Sequence, residues 1–194
     1  MGELNYIYGT MGSAKTANAL MQYFELKQQG KNVIIMKPDI ANRDGNDVIK
    51  SRIGLETKSI VFKCDDDLAG LYKIKNLDVL IIDECQFCNE SQIETLKKLS
   101  IDKNVKIYCY GLKNTYIGYL FPGSKRLIEL ADNIKSLEMS CYICGKSAEI
   151  NALLDKDNNI IKCVDIDEYT KINGKYKAIC YGCWLNNSKI NIKN

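Results

Sequence analysis

Apolar residues fall along this chain in short runs separated by longer amphipathic stretches, an alternation that predicts strands and helices in turn. Residues 4–8 read as a buried strand and 17–29 as the helix after it, with Gly30 at that helix's C-terminus. Residues 32–36 and 59–62 read as the second and third strands, separated by a polar, turn-rich loop over 37–46. Residues 65–75 carry Leu68, Leu71 and Tyr72 at helical spacing behind acidic residues suited to a helix N-terminus. Residues 77–82 form a further strand that runs into two carboxylates, Asp83 and Glu84. A helix with Ile93, Leu96 and Leu99 on one face begins at Asn89 or Glu90. The strand 105–111, an aromatic-bearing loop 113–123, a helix 127–131 and a strand 134–139 complete this part. Strands that alternate with helices, and are apolar throughout, predict an α/β fold with a mostly parallel sheet flanked by helices.

From residue 140 onward the pattern changes. Short alternating segments, 160–166 and 176–179, lie between two C-x-x-C knuckles, Cys141/Cys144 and Cys180/Cys183, and a polar tail follows from 186 to 194. We therefore expect two units: residues 1–139, and a small β unit over 140–194. A unit of that size can hardly bury a core of its own, so a metal cross-link would supply much of its stability. A single knuckle can arise by chance, as Cys85-Gln86-Phe87-Cys88 shows. Two knuckles bracketing β segments predict a tetrahedral zinc site built from Cys141, Cys144, Cys180 and Cys183, with redox dithiols as the alternative. Cys163 is left over as a packing residue.

Composition narrows the chemistry. The 194 residues include nine cysteines and no histidine. Ser-His and Cys-His nucleophilic machinery is thereby excluded, and any metal site must use Cys, Asp or Glu. The amino terminus has no charged-then-apolar signal pattern, and no apolar run approaches a membrane span, so a soluble cytoplasmic protein with thiols instead of disulfides is expected. A net charge of +3 is too small to argue for a nucleic-acid or membrane partner.

Two stretches carry the chemistry. Gly9-Thr10-Met11-Gly12-Ser13-Ala14-Lys15-Thr16 follows a strand and opens a helix, the layout of a phosphate-binding P-loop. Backbone N–H groups and the helix N-terminus would cradle a triphosphate, Lys15 would reach its outer phosphates, and the Thr16 hydroxyl would serve a Mg²⁺ site. Ala14 stands where a glycine is usual. The tip of the strand 77–82 supplies the partner motif: Asp83 to hold Mg²⁺ and Glu84 as a general base. The fold expected is thus a P-loop (RecA-like) sheet with a small β zinc-ribbon appendage. Arg43, in the loop after the second strand, would either stabilise charge on a transferring phosphoryl group or be a solvated surface arginine. The loop aromatics Tyr116, Tyr119 and Phe121 would either wall a flat ligand or form a satellite apolar cluster.

In ordered succession the chain carries Gly9-x4-Ala14-Lys15-Thr16, Lys37-Pro38…Arg43, Ser51-Arg52-x-Gly54, Asp83-Glu84-Cys85-Gln86-Phe87, Gly111-Leu112…Thr115-Tyr116…Phe121, the paired cysteines and Tyr176. From residue 5 to 184 it resembles the type II, cytosolic, zinc-containing thymidine kinases. The resemblance implies transfer of the ATP γ-phosphoryl to the 5′-hydroxyl of thymidine. Glu84 would act as base, Lys15 and Arg43 as phosphoryl stabilisers, and Thr16 and Asp83 would serve the metal. It implies that Gln86 belongs to the nucleotide-side set and that Phe87, Tyr116 and Phe121 form an aromatic wall. The segment ending near Tyr176 would be a lasso that closes over the base through backbone hydrogen bonds. It also implies a homotetramer with dTTP as feedback inhibitor. Asn151 occupies the place of a base-contacting threonine and Leu153 that of an arginine, while Ala41 and Lys113-Asn114 stand where acids are usual. Two other functions share the motifs: a zinc-ribbon P-loop ATPase acting on nucleic acid, and a homologue that binds nucleotide with weakened catalysis.

Overall fold

The structure, a computed structural model, describes residues 1–41, 47–162 and 174–190. Its centre is a six-stranded sheet. In chain order the first elements are β1 (Glu3–Gly9), α1 (Lys15–Gln28), β2 (Val33–Pro38), a hairpin of β3 (Val48–Lys50) and β4 (Glu56–Lys58), and β5 (Ile60–Phe62). They are followed by β6 (Val79–Ile82), α2 (Glu90–Asp102), β7 (Lys106–Gly111), α3 (Pro122–Leu130) and β8 (Asn133–Leu137). The sheet order is β5-β2-β6-β7-β1-β8, and every pairing in it is parallel. All six C-terminal strand ends therefore open on one edge, where α/β sheets bind ligands.

Two apolar layers hold this sheet, and strand parity explains both. Leu4 and Tyr6, Leu80 and Ile82, and Ile107 and Cys109 point to the face covered by α2 and α3, where they meet Ile93, Leu96, Leu99 and Leu127. Ile7, Val33, Ile35, Val79, Ile81 and Tyr110 point to the other face, under Ala19 and Leu20 of α1. Central strands are covered on both sides, which is why β6 reads Val-Leu-Ile-Ile with no polar alternation. Asn89 caps α2 in a reciprocal capping box with Gln92, whose amide also donates to the carbonyls of Lys63 and Asp66.

Several boundaries differ from those the sequence pattern suggests. α1 begins at Lys15, so the lysine and threonine of the P-loop already belong to its first turn. Lys37 and Pro38 are still in β2, paired with Val61 and Phe62, and the loop starts only after them. Residues 65–75 hold a short 3₁₀ turn, Leu68–Lys73, capped by the Asp67 side chain, and no α-helix. α3 starts at Pro122, five residues before its apolar spacing becomes visible, because proline suits the first turn of a helix. The β3–β4 hairpin, turned by 51–54, has no clear signature in its polar sequence.

The C-terminal region is built on β9 (Ile150–Leu154) and β10 (Lys175–Ile179), antiparallel to each other, with α4 (Tyr181–Asn186) after them. The partner of residues 176–179 is thus 150–154. Of the alternating segment expected over 160–166, Ile160 bridges to Leu154, and 163–166 with Cys163 lie outside the described residues. Cys141, Ala152, Leu154, Ile160, Ile179 and Ile190 form a small separate core. Among the described residues no helix is long and apolar enough to cross a membrane.

Candidate active site

The loop between β1 and α1 wraps the end of the sheet because Gly9 and Gly12 let it. A side chain at Gly9 would meet the Ser13 hydroxyl and the Leu137 carbonyl at 2.4 and 2.7 Å, and Gly12 has φ +89°. Ala14 adopts φ 60°, ψ 25°, the left-handed region that costs an alanine roughly 1 kcal/mol. Lys15 is only 8% exposed, and its ammonium donates to the carbonyls of Gly9 (3.1 Å) and Thr10 (2.8 Å). Burial lowers the Lys15 pKa, while the nearby Glu84 and Asp83 carboxylates oppose that shift.

One strand, β7, intervenes between β1 and β6, yet the tip of β6 reaches the P-loop. The Thr16 hydroxyl donates to Asp83 Oδ2 at 2.9 Å. Burial raises the Asp83 carboxyl to about 7, helped by the neighbouring Glu84 and opposed by the Thr16 hydrogen bond and Lys15. Glu84, next along, has φ 54°, ψ 36°, a positive φ at a non-glycine position that turns its side chain out of the strand path. Gln86 holds that carboxylate. Its Nε2 donates to Glu84 Oε2 at 2.6 Å, and its Oε1 accepts from the Leu112 N–H at 2.9 Å. A backbone N–H can only donate, so the Leu112 bond fixes which end of the Gln86 amide faces Glu84. Gly111 makes room: a methyl there would lie 2.6 Å from Gln86 Oε1.

These groups share a cavity of about 620 Å³. Met11, Lys15, Thr16, Asp83, Glu84 and Gln86 line one part of it, and Phe87, Tyr116, Phe121, Asn151 and Tyr176 also line it. Phe87 and Phe121 meet edge to face, with ring centroids 5.7 Å apart. A buried ammonium, a hydroxyl–carboxylate pair and a half-buried second carboxylate facing one apolar-walled chamber can bind a polyphosphate beside a flat alcohol and accept its proton.

The family model for thymidine kinase matches residues 2–184. The chain belongs to the thymidine kinase family. It is 32% identical to the thymidine kinase of Encephalitozoon cuniculi (strain GB-M1), over 94% of this chain and 87% of that protein. It is 36% identical to that of Streptococcus gordonii (strain Challis), over 76% and 78%, and 31% identical to that of Enterobacteria phage T4, over 91% and 95%. Among solved structures, the large terminase of a thermophilic bacteriophage resembles it with a TM-score of 0.45 at 12% identity, over 81% of this chain and 52% of that one.

Met11, Gly12 and Ala14 to Thr16 of the P-loop come together in one cavity with Asp83, Glu84, Phe87, Tyr116, Phe121 and Tyr176. Gly9 and Thr10 line a smaller neighbouring cavity, Ser13 lines neither of the two, the loop aromatic Tyr119 is 72% exposed and outside the lining, and Arg43 lies outside the described residues. Gln86, expected on the nucleotide side, has both ends of its amide committed to Glu84 and Leu112. Lys37, buried with its ammonium donating to the Val48 carbonyl at 2.7 Å, and Arg52 also line the cavity. Both sit in motifs that carry the family resemblance, which was the available signal that they belong to the site.

The four cysteines form a second cluster. The sulfurs of Cys141, Cys144, Cys180 and Cys183 all lie within 4.8 Å of one another, and Cys144 and Cys180 are 3.6 Å apart. Tetrahedral zinc–thiolate bonds of about 2.3 Å require sulfurs roughly 3.8 Å apart, so the donor set fits that ion in number, kind and spacing. Burial pushes the Cys141 thiol up, but the backbone N–H groups of Cys180, Cys144 and Ile143 more than offset this and bring it to about 6.

Proposed function

We propose that this protein is an ATP-dependent thymidine kinase, transferring the γ-phosphoryl group of ATP to the 5′-hydroxyl of thymidine to give dTMP. The observation that carries this reading is the meeting of the P-loop lysine, the Thr16–Asp83 pair and Glu84 in one cavity with an aromatic wall, in a chain of this family. Glu84, oriented by Gln86, takes the proton from the 5′-hydroxyl as that oxygen attacks the γ-phosphorus. The bond from phosphorus to the β,γ-bridging oxygen breaks, and ADP leaves. Lys15 moves from the Gly9 and Thr10 carbonyls to the phosphates, where its charge opposes the negative charge on the transferred group. Arg43 joins it by the family resemblance. Thr16 and Asp83 would hold Mg²⁺, which neutralises phosphate charge when bound. Phe87, Tyr116, Phe121 and Tyr176 would enclose the base, and Asn151 belongs to the same subsite.

In this reading residues 1–139 are the nucleotide-binding domain and 140–194 a lasso domain tied by structural zinc on the four cysteines. The protein works as a cytoplasmic homotetramer with dTTP as its feedback inhibitor. Family membership favours this over a nucleic-acid-dependent ATPase. A panel of nucleosides incubated with γ-labelled ATP and Mg²⁺ tests it. Label is expected on the 5′-position of thymidine, and a protein that labels no pyrimidine deoxynucleoside contradicts the proposal.

A further inference from the structure

One cation in the wall of the large cavity has no task in the reaction described above. Arg52 lines that cavity together with Lys15, Thr16, Asp83 and Glu84. Arginine is scarce in this lysine-rich chain: of its 27 basic residues, only Arg43, Arg52 and Arg126 are arginines. The planar fork of a guanidinium does what an ammonium cannot, holding two acceptors at once in fixed geometry. Arg126 uses its fork in that way, bridging Glu94 at 2.8 Å and Glu129 at 2.7 Å. The exposed Arg52 side chain, by contrast, has no hydrogen-bond or ion-pair partner among the described residues.

Its mount is nevertheless firm. Arg52 belongs to the turn 51–54 at the tip of the β3–β4 hairpin. Ile49 of β3 is buried in one layer with Ala19 and Leu20 of α1, and Leu55 packs against the same layer. Lys37, on β2, donates to the Val48 carbonyl at 2.7 Å and fastens the start of the hairpin to the sheet. Ser51, itself buried, closes the turn: its N–H donates to the Leu55 carbonyl at 2.8 Å, and its hydroxyl accepts from the Leu55 N–H at 3.0 Å. Gly54 donates to the Ser51 carbonyl at 3.1 Å with φ +91°, a left-handed position that suits glycine. Because α1 starts at Lys15, a hairpin packed on that helix keeps Arg52 on the P-loop side of the cavity. The two charges feel each other. Burial is the main cause of the lowered Lys15 pKa, and the positive charge of Arg52 adds to it. Cations gathered in this way repel until an anion sits among them.

We infer that Arg52 is a further catalytic residue: carried by the hairpin tip, its guanidinium donates to two oxygens of the phosphoryl group in transfer and stabilises the charge spread over them. The inference rests on the nucleoside-kinase reading and adds a second donor beside Lys15. Arg52 forms no covalent bond and gives up no proton, and the bonds made and broken are those already described. Its donors count most where charge is greatest, in the transition state, so its loss slows transfer more than it weakens binding.

The test is the single-turnover rate of phosphoryl transfer from ATP to thymidine, with Mg²⁺, in the wild type, Arg52→Ala and Arg52→Lys. Thymidine affinity by calorimetry, melting temperature and zinc content are recorded beside it. The rate is expected to fall roughly 10²–10³-fold in Arg52→Ala, the loss typical of one transition-state donor, while thymidine affinity stays within about threefold. Arg52→Lys should recover only a small part, because a point charge does not bridge two oxygens. Guanidinium chloride, added below denaturing concentration, should partly rescue Arg52→Ala but not Arg52→Lys. Transfer within about threefold of the wild type in Arg52→Ala, or full activity in Arg52→Lys, overturns the inference and leaves the kinase intact. A melting temperature or zinc content that falls along with the rate assigns Arg52 a structural role and overturns the inference as well. A wild-type protein that labels no deoxynucleoside overturns the kinase reading itself.

Discussion

The parallel sheet and the cysteine-tied hairpin face each other across one cavity, yet they reach a fixed shape by different physics. The sheet is clamped between two apolar layers, and its central strand has no exposed residue. Among the described residues, the hairpin region has one small apolar cluster of its own, built on Ala152, Leu154, Ile160, Ile179 and Ile190 beside Cys141, and four sulfurs gathered within 4.8 Å. Hydrophobic burial grows with the size of the layers, whereas the hairpin's core is too small to carry it unaided. The consequence is functional. The groups expected to do phosphoryl chemistry belong to the part held by the two large apolar layers. Two of the groups expected to enclose the nucleoside, Asn151 and Tyr176, belong to the part that carries the four-cysteine cluster and that, in the proposed reading, a metal ties together.

Chelation separates the two most strongly. A chelator that strips zinc is expected to abolish thymidine binding and to make residues 140–190 sensitive to protease, because structural zinc in such sites is bound by about 10–16 kcal/mol, more than the folding energy of so small a unit. The helical and strand signal of the sheet should persist, as circular dichroism would show. Loss of both regions together would break the comparison.

Gln86→Leu probes the rigid side. It releases the Glu84 carboxylate and leaves the Leu112 N–H buried without a partner, so kcat is expected to fall about 10- to 100-fold and stability by about 1–3 kcal/mol, read by steady-state kinetics and chemical denaturation. Zinc content should not change.

Asp83 sharpens the contrast through pH. Its carboxyl titrates near 4 in an unfolded chain and at about 7 in the fold. Between those values the folded protein holds a proton that the unfolded chain has released, so the ligand-free protein loses stability as pH rises from about 4 to about 7 and then levels off. Relative to the wild type, Asp83→Asn should remove that downward slope, worth at most a few kcal/mol, in melting curves recorded across this range.

The smallest effect belongs to Ala14. Ala14→Gly is expected to relieve the left-handed strain at φ 60° and raise stability by less than about 1 kcal/mol, since glycine also loses more freedom on folding. A thermal shift of a degree or two upward, with the metal site unaffected, is the expected reading.

Much of the rigid half is legible in the sequence because its signals are local. Gly9 through Thr16 and Asp83-Glu84 follow strands whose apolar runs mark them, and the topology then brings the two tips together. The four clustered cysteines are equally plain from spacing. What escapes is what depends on distant partners. The strand Ile150–Leu154 carries Asn151 as its second residue, a polar side chain whose partner is an N–H 140 positions away. Gln86 reads as part of the nucleotide set because only the folded chain shows the Leu112 amide that fixes its orientation. The 3₁₀ turn at Leu68–Lys73 has helical spacing, but six residues with a single capping aspartate give too little burial for an α-helix.

The central claim, that Glu84 strips the proton from a sugar alcohol held beside the P-loop, is tested most directly by Glu84→Gln. Thymidine affinity measured by calorimetry should stay within about threefold of the wild type, while phosphoryl transfer in a single turnover falls by roughly 10²–10⁴. Transfer at the wild-type rate in that variant would contradict the account.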